Sequence, residues 1–307
     1  MRRRFKVLGL RWIVLLSVTI FAVWEFWWRQ PVGGGPAGPL VDGASFQVVW
    51  TTRPVLLIGM GDSVSAGLGA RPGYSYFDRL LNNPTDEWPD LMGINLRKVF
   101  PNLTATNLAL SGSTSLDHSH HQLPRLPATD SNTLAVVVIT TGGNDLIHNY
   151  GRTEPKEGAM YGASWEQAQP WITNFAARLE HMLDEISNRF PGGCAIFLAD
   201  IYDPTDGTGD ARRVGLSLWP DGLKIHSAYN AIIHSAAGRR ENVHLVKLRE
   251  PFLGHGLGCR HIWSEHYRRD DPHYWFWMNL EDPNERGYDA IRRQFLLAMS
   301  NARQQLR

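Results

Sequence analysis

A serine at the end of an apolar run is the first candidate for chemistry in this sequence. The stretch LLIGMGDSVSAGLGA starts at Leu56, and its apolar residues give way to glycine, aspartate and Ser63. A serine hydroxyl is a poor nucleophile unless a base takes its proton and hydrogen-bond donors stabilise the oxyanion that forms. A serine at such a turn is also a common helix cap. Ser63 is therefore a candidate nucleophile that requires a base and an oxyanion hole.

Two further polar turns follow apolar runs and contain residues suited to an oxyanion hole. The first is NLALSGST, which contains Gly112, and the second is TTGGND, which contains Asn144. Glycine permits close backbone approach, so the N–H of Gly112 can point at a ligand oxygen. The side chain of Asn144 supplies an amide donor. With the N–H of Ser63, these groups form a predicted oxyanion hole of three donors.

Apolar runs alternate with amphipathic helical patterns along most of the chain. This alternation predicts a parallel sheet with right-handed crossovers, and function in such sheets collects at the carboxyl ends of the strands. The predicted strands are Val55–Gly59, Thr104–Leu110, Leu134–Thr140, Ala195–Ile201 and Val243–Leu248. Ser63, Gly112 and Asn144 follow the first three of them, so the fold is expected to bring them together.

The blocks GDSVSAG, NLALSGST and GGND, in this order, resemble those of the SGNH hydrolases, also called GDSL esterases and lipases. The resemblance extends from about Val55 to the C-terminus. It implies an α/β fold, a flavodoxin-like three-layer α/β/α sandwich with a five-stranded parallel sheet. It also implies hydrolysis of carboxylic esters without a cofactor or a metal. Ser63 would be the nucleophile, and Ser63, Gly112 and Asn144 would form the oxyanion hole.

The family's last block departs from its usual pattern in this sequence. That block is Asp-x-x-His, followed at once by Pro-Asn and then Gly. The stretch EDPNERG keeps Pro283, Asn284 and Gly287, but Asp282 stands where the histidine is expected.

An Asp-x-x-His pair lies nine residues earlier, in RDDPHYW. Asp270 and His273 have the family spacing, which indicates that YWFWMNLED is inserted between the catalytic histidine and the Pro-Asn turn. Histidine suits a base because its pKa lies near neutral pH, and an aspartate can orient its ring. The predicted triad is Ser63, His273 and Asp270. Three other histidines of the same long loop remain alternatives: His255, His261 and His266.

The function expected from these residues is that of a serine esterase. Its substrates would be acetylated carbohydrates, short acyl esters or lysolipids, hydrolysed through an acyl-enzyme. An O-acyltransferase working through the same site remains an alternative. A non-catalytic glycan-binding module that kept the fold but lost its base is another, because Asp282 occupies the usual histidine position.

The N-terminal segment is predicted to meet the membrane. MRRRFK precedes a mostly apolar stretch up to residue 28, which predicts either an uncleaved transmembrane anchor or a cleaved signal peptide over residues 1–30. Trp24, Phe26, Trp27 and Trp28 would form an interfacial belt. A flexible linker over residues 31–50 would then join the catalytic domain, residues 51–307. Its location would be extracytoplasmic, membrane-anchored or secreted.

The amino-acid composition excludes several other classes of protein and of binding partner. The chain has 307 residues, of which 43% are hydrophobic and 20% charged, as in globular proteins. The formal net charge of +1 gives no electrostatic basis for a nucleic-acid partner. Two cysteines are too few for a disulfide scaffold. The cluster DHSHHQ lacks a regular metal-ligand spacing, so a polar loop is favoured there over a metal site.

Overall fold

The structure is a computed structural model that describes residues 2–25 and 29–307. Its strands are β1 (Val55–Gly61), β2 (Leu103–Asn107), β3 (Leu134–Thr140), β4 (Cys194–Ala199) and β5 (Val243–Val246). Its α-helices are α1 (Arg2–Val23), α2 (Ser63–Ala66), α3 (Tyr76–Leu81), α4 (Leu96–Val99), α5 (Ser115–Asp117), α6 (Gly143–Ile147), α7 (Trp165–Arg189), α8 (Gly222–Gly238), α9 (Arg249–Phe252) and α10 (Glu285–Asn301).

The strands form one parallel sheet in the order β2-β1-β3-β4-β5. This confirms the predicted five-stranded parallel sheet, and the strand order is that of flavodoxin-like folds. All seven residues of β3 are buried because helices cover both faces of the sheet. The central pair β1 and β3 therefore ends in loops that lie side by side, at the edge where Ser63 and Asn144 follow.

Two apolar cores lie on opposite faces of the sheet and make the molecule a three-layer sandwich. Helices α7 and α8 pack on one face, where the rings of Phe175 and Tyr229 stack at a centroid distance of 4.1 Å. Helices α3 and α10 pack on the other, where Tyr76 and Phe295 stack at 4.8 Å. The apolar stripe of α7 that the sequence predicted faces the first of these cores.

Buried ion pairs fix α10 to α3 and to the loop that follows α3. Glu87 accepts from Arg79 at 2.7 Å and from Arg292 at 2.5 Å, and all three side chains are almost completely buried. Arg79 also meets Asp289 at 3.1 Å. Because the residues just before α10 approach Ser63, this network helps to hold one wall of the site in place.

The segment predicted to be a flexible linker packs along α10. The guanidinium group of Arg286 donates to the carbonyl oxygens of Val32, Gly35 and Pro36 at 3.1–3.3 Å. The N–H of Ala37 donates to the buried carboxylate of Asp289 at 3.1 Å. The glycines and prolines of this segment therefore expose backbone carbonyls to arginine donors, so the segment is bound where the sequence predicted a free spacer.

From residue 11 onward, the N-terminal helix α1 has exposed large apolar side chains, Trp12 and Phe21 among them. Within residues 2–25 and 29–307, we find no helix with the length and apolar character needed to cross a membrane, so the predicted transmembrane helix is not supported. Of the predicted aromatic belt, Phe26, Trp27 and Trp28 lie outside the described residues. The extracytoplasmic location stays a prediction.

Candidate active site

Ser63 lies where β1 gives way to α2, at the carboxyl edge of the sheet. Asp62 caps this short helix by accepting from the N–H of Val64 at 3.1 Å. Gly61 has a φ of 131°, and a side chain there would meet the carbonyl oxygen of Thr140 at 2.3 Å. Glycine at position 61 thus lets β1 turn closely past β3 and brings Ser63 to the mouth of the next strand. The serine is 6% exposed.

Asn144 follows β3 and lines the same cavity as Ser63. Its Nδ2 donates to the carbonyl oxygen of Ser113 at 2.9 Å, which ties the loop after β3 to the loop after β2. An amide nitrogen carries two hydrogens, so one remains for a ligand. The structure therefore brings Ser63 and Asn144 to one cavity.

Gly112 lies in the turn that follows β2, with a φ of 80° and an exposed backbone. Ser113 closes this turn by donating its N–H to the carbonyl oxygen of Leu110 at 3.2 Å. Within the described chain, the N–H of Gly112 donates to no other group. It does not line the cavity of Ser63 and Asn144. Its role as an oxyanion donor stays a prediction.

Two side chains that the sequence analysis did not single out hold these loops in place. The amide of Gln122 makes two 2.8 Å hydrogen bonds to the backbone N–H and C=O of Gly61. The buried ring of His118 bridges the hydroxyls of Ser113 and Thr141 at 3.0 and 2.9 Å. Both belong to the DHSHHQ stretch. Such bridges depend on tertiary contacts, so the histidine cluster gave only a weak signal for them.

His273 lies apart from the predicted nucleophile. Its Nδ1 makes a 2.5 Å hydrogen bond with Oδ1 of Asp271. The carboxylate of Asp271 also accepts two 2.9 Å hydrogen bonds from the guanidinium group of Arg286. The imidazole ring packs against Gly33 of the N-terminal segment. Asp270 is exposed, so the aspartate that orients His273 is Asp271 and not the predicted residue. His273 does not line the cavity that contains Ser63.

The residues that follow His273 explain why it lies away from Ser63. Trp275 and Phe276 are buried in the core, where they pack edge-on against Phe252. The N–H of Trp275 donates to the carbonyl oxygen of His255. Burial of this aromatic stretch directs His273 toward the N-terminal segment. The start of the expected insertion is therefore part of the core rather than a loop that projects outward.

The other loop histidines do not line that cavity either. The ring of His255 stacks on Trp275 at 3.5 Å, and that of His261 stacks on Trp263 at 5.4 Å. His266 packs against Gly207. A histidine that does line the cavity is His226 of α8, on the wall formed by the segment after β4, and its Nε2 hydrogen-bonds the carbonyl oxygen of Ile201 at 3.0 Å.

Asp282 is the side chain that reaches Ser63 from the loop before α10. It is 1% exposed, and its carboxyl group lies close enough to the Ser63 hydroxyl for that hydroxyl to lower its pKa. Its Oδ1 has no hydrogen-bond partner within the described residues. Catalytic hydrogen bonds are often long before substrate binds.

Asn279 fixes Asp282 through both ends of its side-chain amide. Its Nδ2 donates to Oδ2 of Asp282, and its Oδ1 accepts from the N–H of Asp282 at 3.1 Å. Leu280, between them, has a φ of 70°, a left-handed conformation that costs a branched residue energy. Asn279 and Asp282 have the i, i+3 spacing of the family's Asp-x-x-His and stand directly before Pro283. An amide and a carboxylate thus occupy the positions of a carboxylate and an imidazole.

Burial governs the electrostatics of the two aspartates beside Ser63. It raises the pKa of Asp62 to about 7, although hydrogen bonds from Thr140 and Val64 oppose the rise. Burial also raises the pKa of Asp282, and the hydroxyl of Ser63 opposes this second rise. The negative charge of Asp282 raises the pKa of Asp62 further. A carboxyl with a raised pKa is a stronger base once ionised than an ordinary aspartate.

The described residues contain neither a cluster of metal ligands nor a disulfide. It contains no group of three or more histidine, cysteine or acidic side chains able to hold a metal ion. Cys194 and Cys259 are unpaired thiols, and burial raises the pKa of each to about 12.

Comparison with known proteins identifies a protein family that matches this sequence. The model of the GDSL-like lipase/acylhydrolase family matches residues 60–290. Comparison with curated proteins finds no sequence match.

Two solved structures share the fold at low sequence identity. An extracellular lipase from Streptomyces rimosus is 20% identical, with a TM-score of 0.51 over 81% of this chain and 99% of the lipase. A mutant acetyl-xylooligosaccharide esterase from Geobacillus stearothermophilus is 15% identical, with a TM-score of 0.51 over 82% of this chain and 96% of that one. Since the family model covers most of the chain, this protein belongs to the GDSL-like lipase/acylhydrolase family and is a hydrolase of ester bonds.

Proposed function

We propose that the protein hydrolyses carboxylic esters with Ser63 as nucleophile and Asp282, in place of a histidine, as the general base. The observation that supports this assignment is the buried carboxyl group of Asp282, which Asn279 holds near the Ser63 hydroxyl and which stands directly before Pro283. Predicted donors to the oxyanion are the N–H groups of Ser63 and Gly112 and the side-chain amide of Asn144.

The proposed reaction has two steps, acylation of Ser63 and hydrolysis of the acyl-enzyme. Ser63 Oγ bonds to the ester carbonyl carbon while its proton passes to the carboxylate of Asp282. The carbon–alkoxy bond then breaks, and the alcohol leaves with that proton. Water next gives a proton to Asp282 and adds to the acyl-enzyme, and Ser63 leaves by taking the proton back. The products are a carboxylic acid and an alcohol.

Asn279 would act as a positioning residue for Asp282. Its amide donates to Oδ2 and leaves Oδ1 without a regular partner, so this oxygen is available to the proton of Ser63. A neutral amide does not stabilise charge on the base as the family's aspartate does for a histidine. We therefore expect a slower enzyme than one with a complete triad.

A non-catalytic binding module is the second candidate, because none of the four histidines of the loop before α10 lines the cavity of Ser63. Labelling with a fluorophosphonate separates the two candidates, since this reagent reacts with activated serines. We expect the wild-type protein to be labelled and to hydrolyse p-nitrophenyl esters, and Ser63→Ala to abolish both. If folded wild-type protein is neither labelled nor active between pH 5 and 9, the catalytic proposal fails.

A further inference from the structure

A cavity opens beside Ser63 on the side of β3 and β4, and the proposed proton transfers make no use of it. Its volume is about 130 Å³. Ser63, Thr141 and Asn144 border it at the strand ends, while the segment that follows β4 and the start of α8 supply the opposite wall. The cavity is thus continuous with the place where an acyl group bonded to Ser63 would lie.

The lining of this cavity is mostly apolar. Its apolar side chains come from α6, from the segment after β4 and from α8: Leu146, Ile147, Ile201, Leu216, Trp219 and Leu223. A lining of this kind favours an apolar ligand, because apolar surface is removed from water on both sides of the contact.

Four carboxyl groups border the cavity, those of Asp62, Asp200, Asp203 and Glu281, and the three aspartates accept hydrogen bonds from backbone N–H groups of the protein. Asp203 accepts from the N–H groups of Thr205 and Gly207 at 2.8 and 2.9 Å. Asp200 accepts from the N–H groups of Leu248 and Arg249 at 2.5 and 2.8 Å. The three aspartates therefore need no polar partner from a ligand, and the four carboxyl groups together disfavour an anionic one. The mostly apolar lining favours an occupant that is uncharged and apolar.

The volume limits how long that occupant can be. An apolar cavity of about 150 Å³ holds one benzene molecule, so 130 Å³ accommodates about five or six carbon atoms. An acetyl group would leave most of this space empty, and the acyl chain of a lysolipid would exceed it.

We infer that this cavity, hereafter the acyl pocket, binds the acyl chain of an ester with about four to six carbons in the acid part. The inference rests on the proposed function, because it places the acyl carbon on Ser63. It narrows the substrates to esters of short, uncharged aliphatic acids and places the alcohol part outside the acyl pocket.

The test measures kcat/KM for p-nitrophenyl esters from acetate to decanoate. Each added methylene that enters an apolar site contributes about fourfold, so we expect a rise of about 10²-fold from acetate to hexanoate and a fall beyond it. Values that are flat or that decrease from acetate to hexanoate would overturn the inference and leave the proposed function standing.

Three variants locate the effect in the acyl pocket. Ala211 lines it and is buried, so Ala211→Leu should fill space and lower the ratio of hexanoate to acetate kcat/KM by at least about tenfold. Leu216→Ala should move the optimum to longer chains. The control is Leu218→Ala, in the same segment, because this side chain is 49% exposed and outside the lining. Equal shifts in the Leu216 and Leu218 variants would contradict the inference.

A binding measurement keeps the acyl pocket testable without catalysis. Ser63→Ala is titrated with N-methylhexanamide and with N-methylacetamide in a calorimeter. We expect the longer amide to bind at least about tenfold more tightly, and Ala211→Leu in the same background to remove the difference. Equal binding of the two amides would refute the acyl pocket, whereas preferential binding by a protein without esterase activity would refute only the proposed function.

Discussion

The carboxyl group of Asp282 lies near the hydroxyl of Ser63, at the position where the resemblance to the SGNH hydrolases predicts a histidine. Asn279 holds it there from three residues upstream, with the spacing of the usual Asp-x-x-His block. The predicted base, His273, instead hydrogen-bonds Asp271 next to the N-terminal segment. These contacts lead to measurements that separate the two assignments of the base.

Substitution of the two candidate bases should have opposite outcomes. Asp282→Asn keeps the shape of the side chain but cannot accept the proton of Ser63, so we expect ester turnover to fall by about 10²-fold or more. His273→Ala should retain turnover within about twofold. Initial rates with p-nitrophenyl butyrate and fluorophosphonate labelling provide the readouts. Loss of activity in His273→Ala, with unchanged thermal stability, would return the role of base to the imidazole.

The pH dependence of kcat/KM should report a carboxyl group. Burial raises the pKa of Asp282, and the base must be ionised. Activity should therefore be lost as pH falls through a midpoint above the usual value of about 4 for aspartate.

Temperature identifies the titrating group. Ionisation of a carboxyl group has little enthalpy, whereas deprotonation of an imidazolium is endothermic. When kcat/KM is measured from 10 to 35 °C, we expect the midpoint of its pH profile to stay nearly constant. A midpoint that decreases clearly on warming would instead indicate a histidine.

Asp62 should make the protein less stable as pH rises. Its folded-state pKa is about 7, above the value of about 4 expected in the unfolded chain. Between these values the folded state binds more protons, so the free energy of unfolding falls as pH rises through this range and levels off above it. Asp62→Asn should reduce this fall, as measured by urea unfolding at pH 5 and pH 8.

An exposed aspartate provides the control for that measurement. Asp270 is exposed, and its side chain makes no hydrogen bond or ion pair within the described residues. Asp270→Asn should leave the pH dependence of unfolding as in the wild type. The assignment to Asp62 fails if Asp62→Asn and the wild type lose the same free energy of unfolding between the two pH values.

The N-terminal segment can be tested through two glycines with similar backbone conformations. Gly38 and Gly35 have φ values of 89° and 85°. A side chain at Gly38 would lie 2.9 Å from the Cα of Ala290 in α10, whereas one at Gly35 would meet no atom within 4 Å. Both alanine variants bear the cost of a left-handed backbone, about 1–2 kcal/mol. Gly38→Ala should lose about 1–3 kcal/mol more because of the clash.

Urea unfolding measures the global part of this effect, and limited proteolysis near residues 31–41 measures local detachment. We expect Gly38→Ala to be cut faster than Gly35→Ala. Equal stability together with equal cleavage would show that the segment does not depend on close contact with α10.

Much of the site was predictable from the sequence because its signals are local. Apolar runs of five to seven residues, each followed by a polar turn, predicted the parallel strands. The carboxyl ends of parallel strands share one edge, so Ser63 and Asn144 were expected to meet there. The stripe of apolar residues along α7 likewise depends only on helical periodicity.

The choice of base depended on the tertiary structure. Between β5 and α10 the chain passes through a long connection with several histidines and aspartates, and the motif spacing favoured Asp270 and His273. Burial of Trp275 and Phe276 decided otherwise, because it turned His273 toward Gly33 and left the loop before Pro283 to approach Ser63. Packing of this kind joins residues distant in sequence, so local patterns do not encode it.

Contacts between residues distant in sequence also explain why the N-terminal segment is not the flexible spacer that the sequence predicted. By itself, a run of glycine and proline predicts a flexible spacer, because such residues neither form a helix nor bury apolar surface. Two arginines and an aspartate on α10, Arg286, Arg293 and Asp289, supply partners for its backbone more than 240 residues away. The sequence thus determined the strands and the place of the candidate nucleophile through local periodicity and turns. Only the tertiary structure decided which distant polar groups meet them, because those contacts depend on how the core packs.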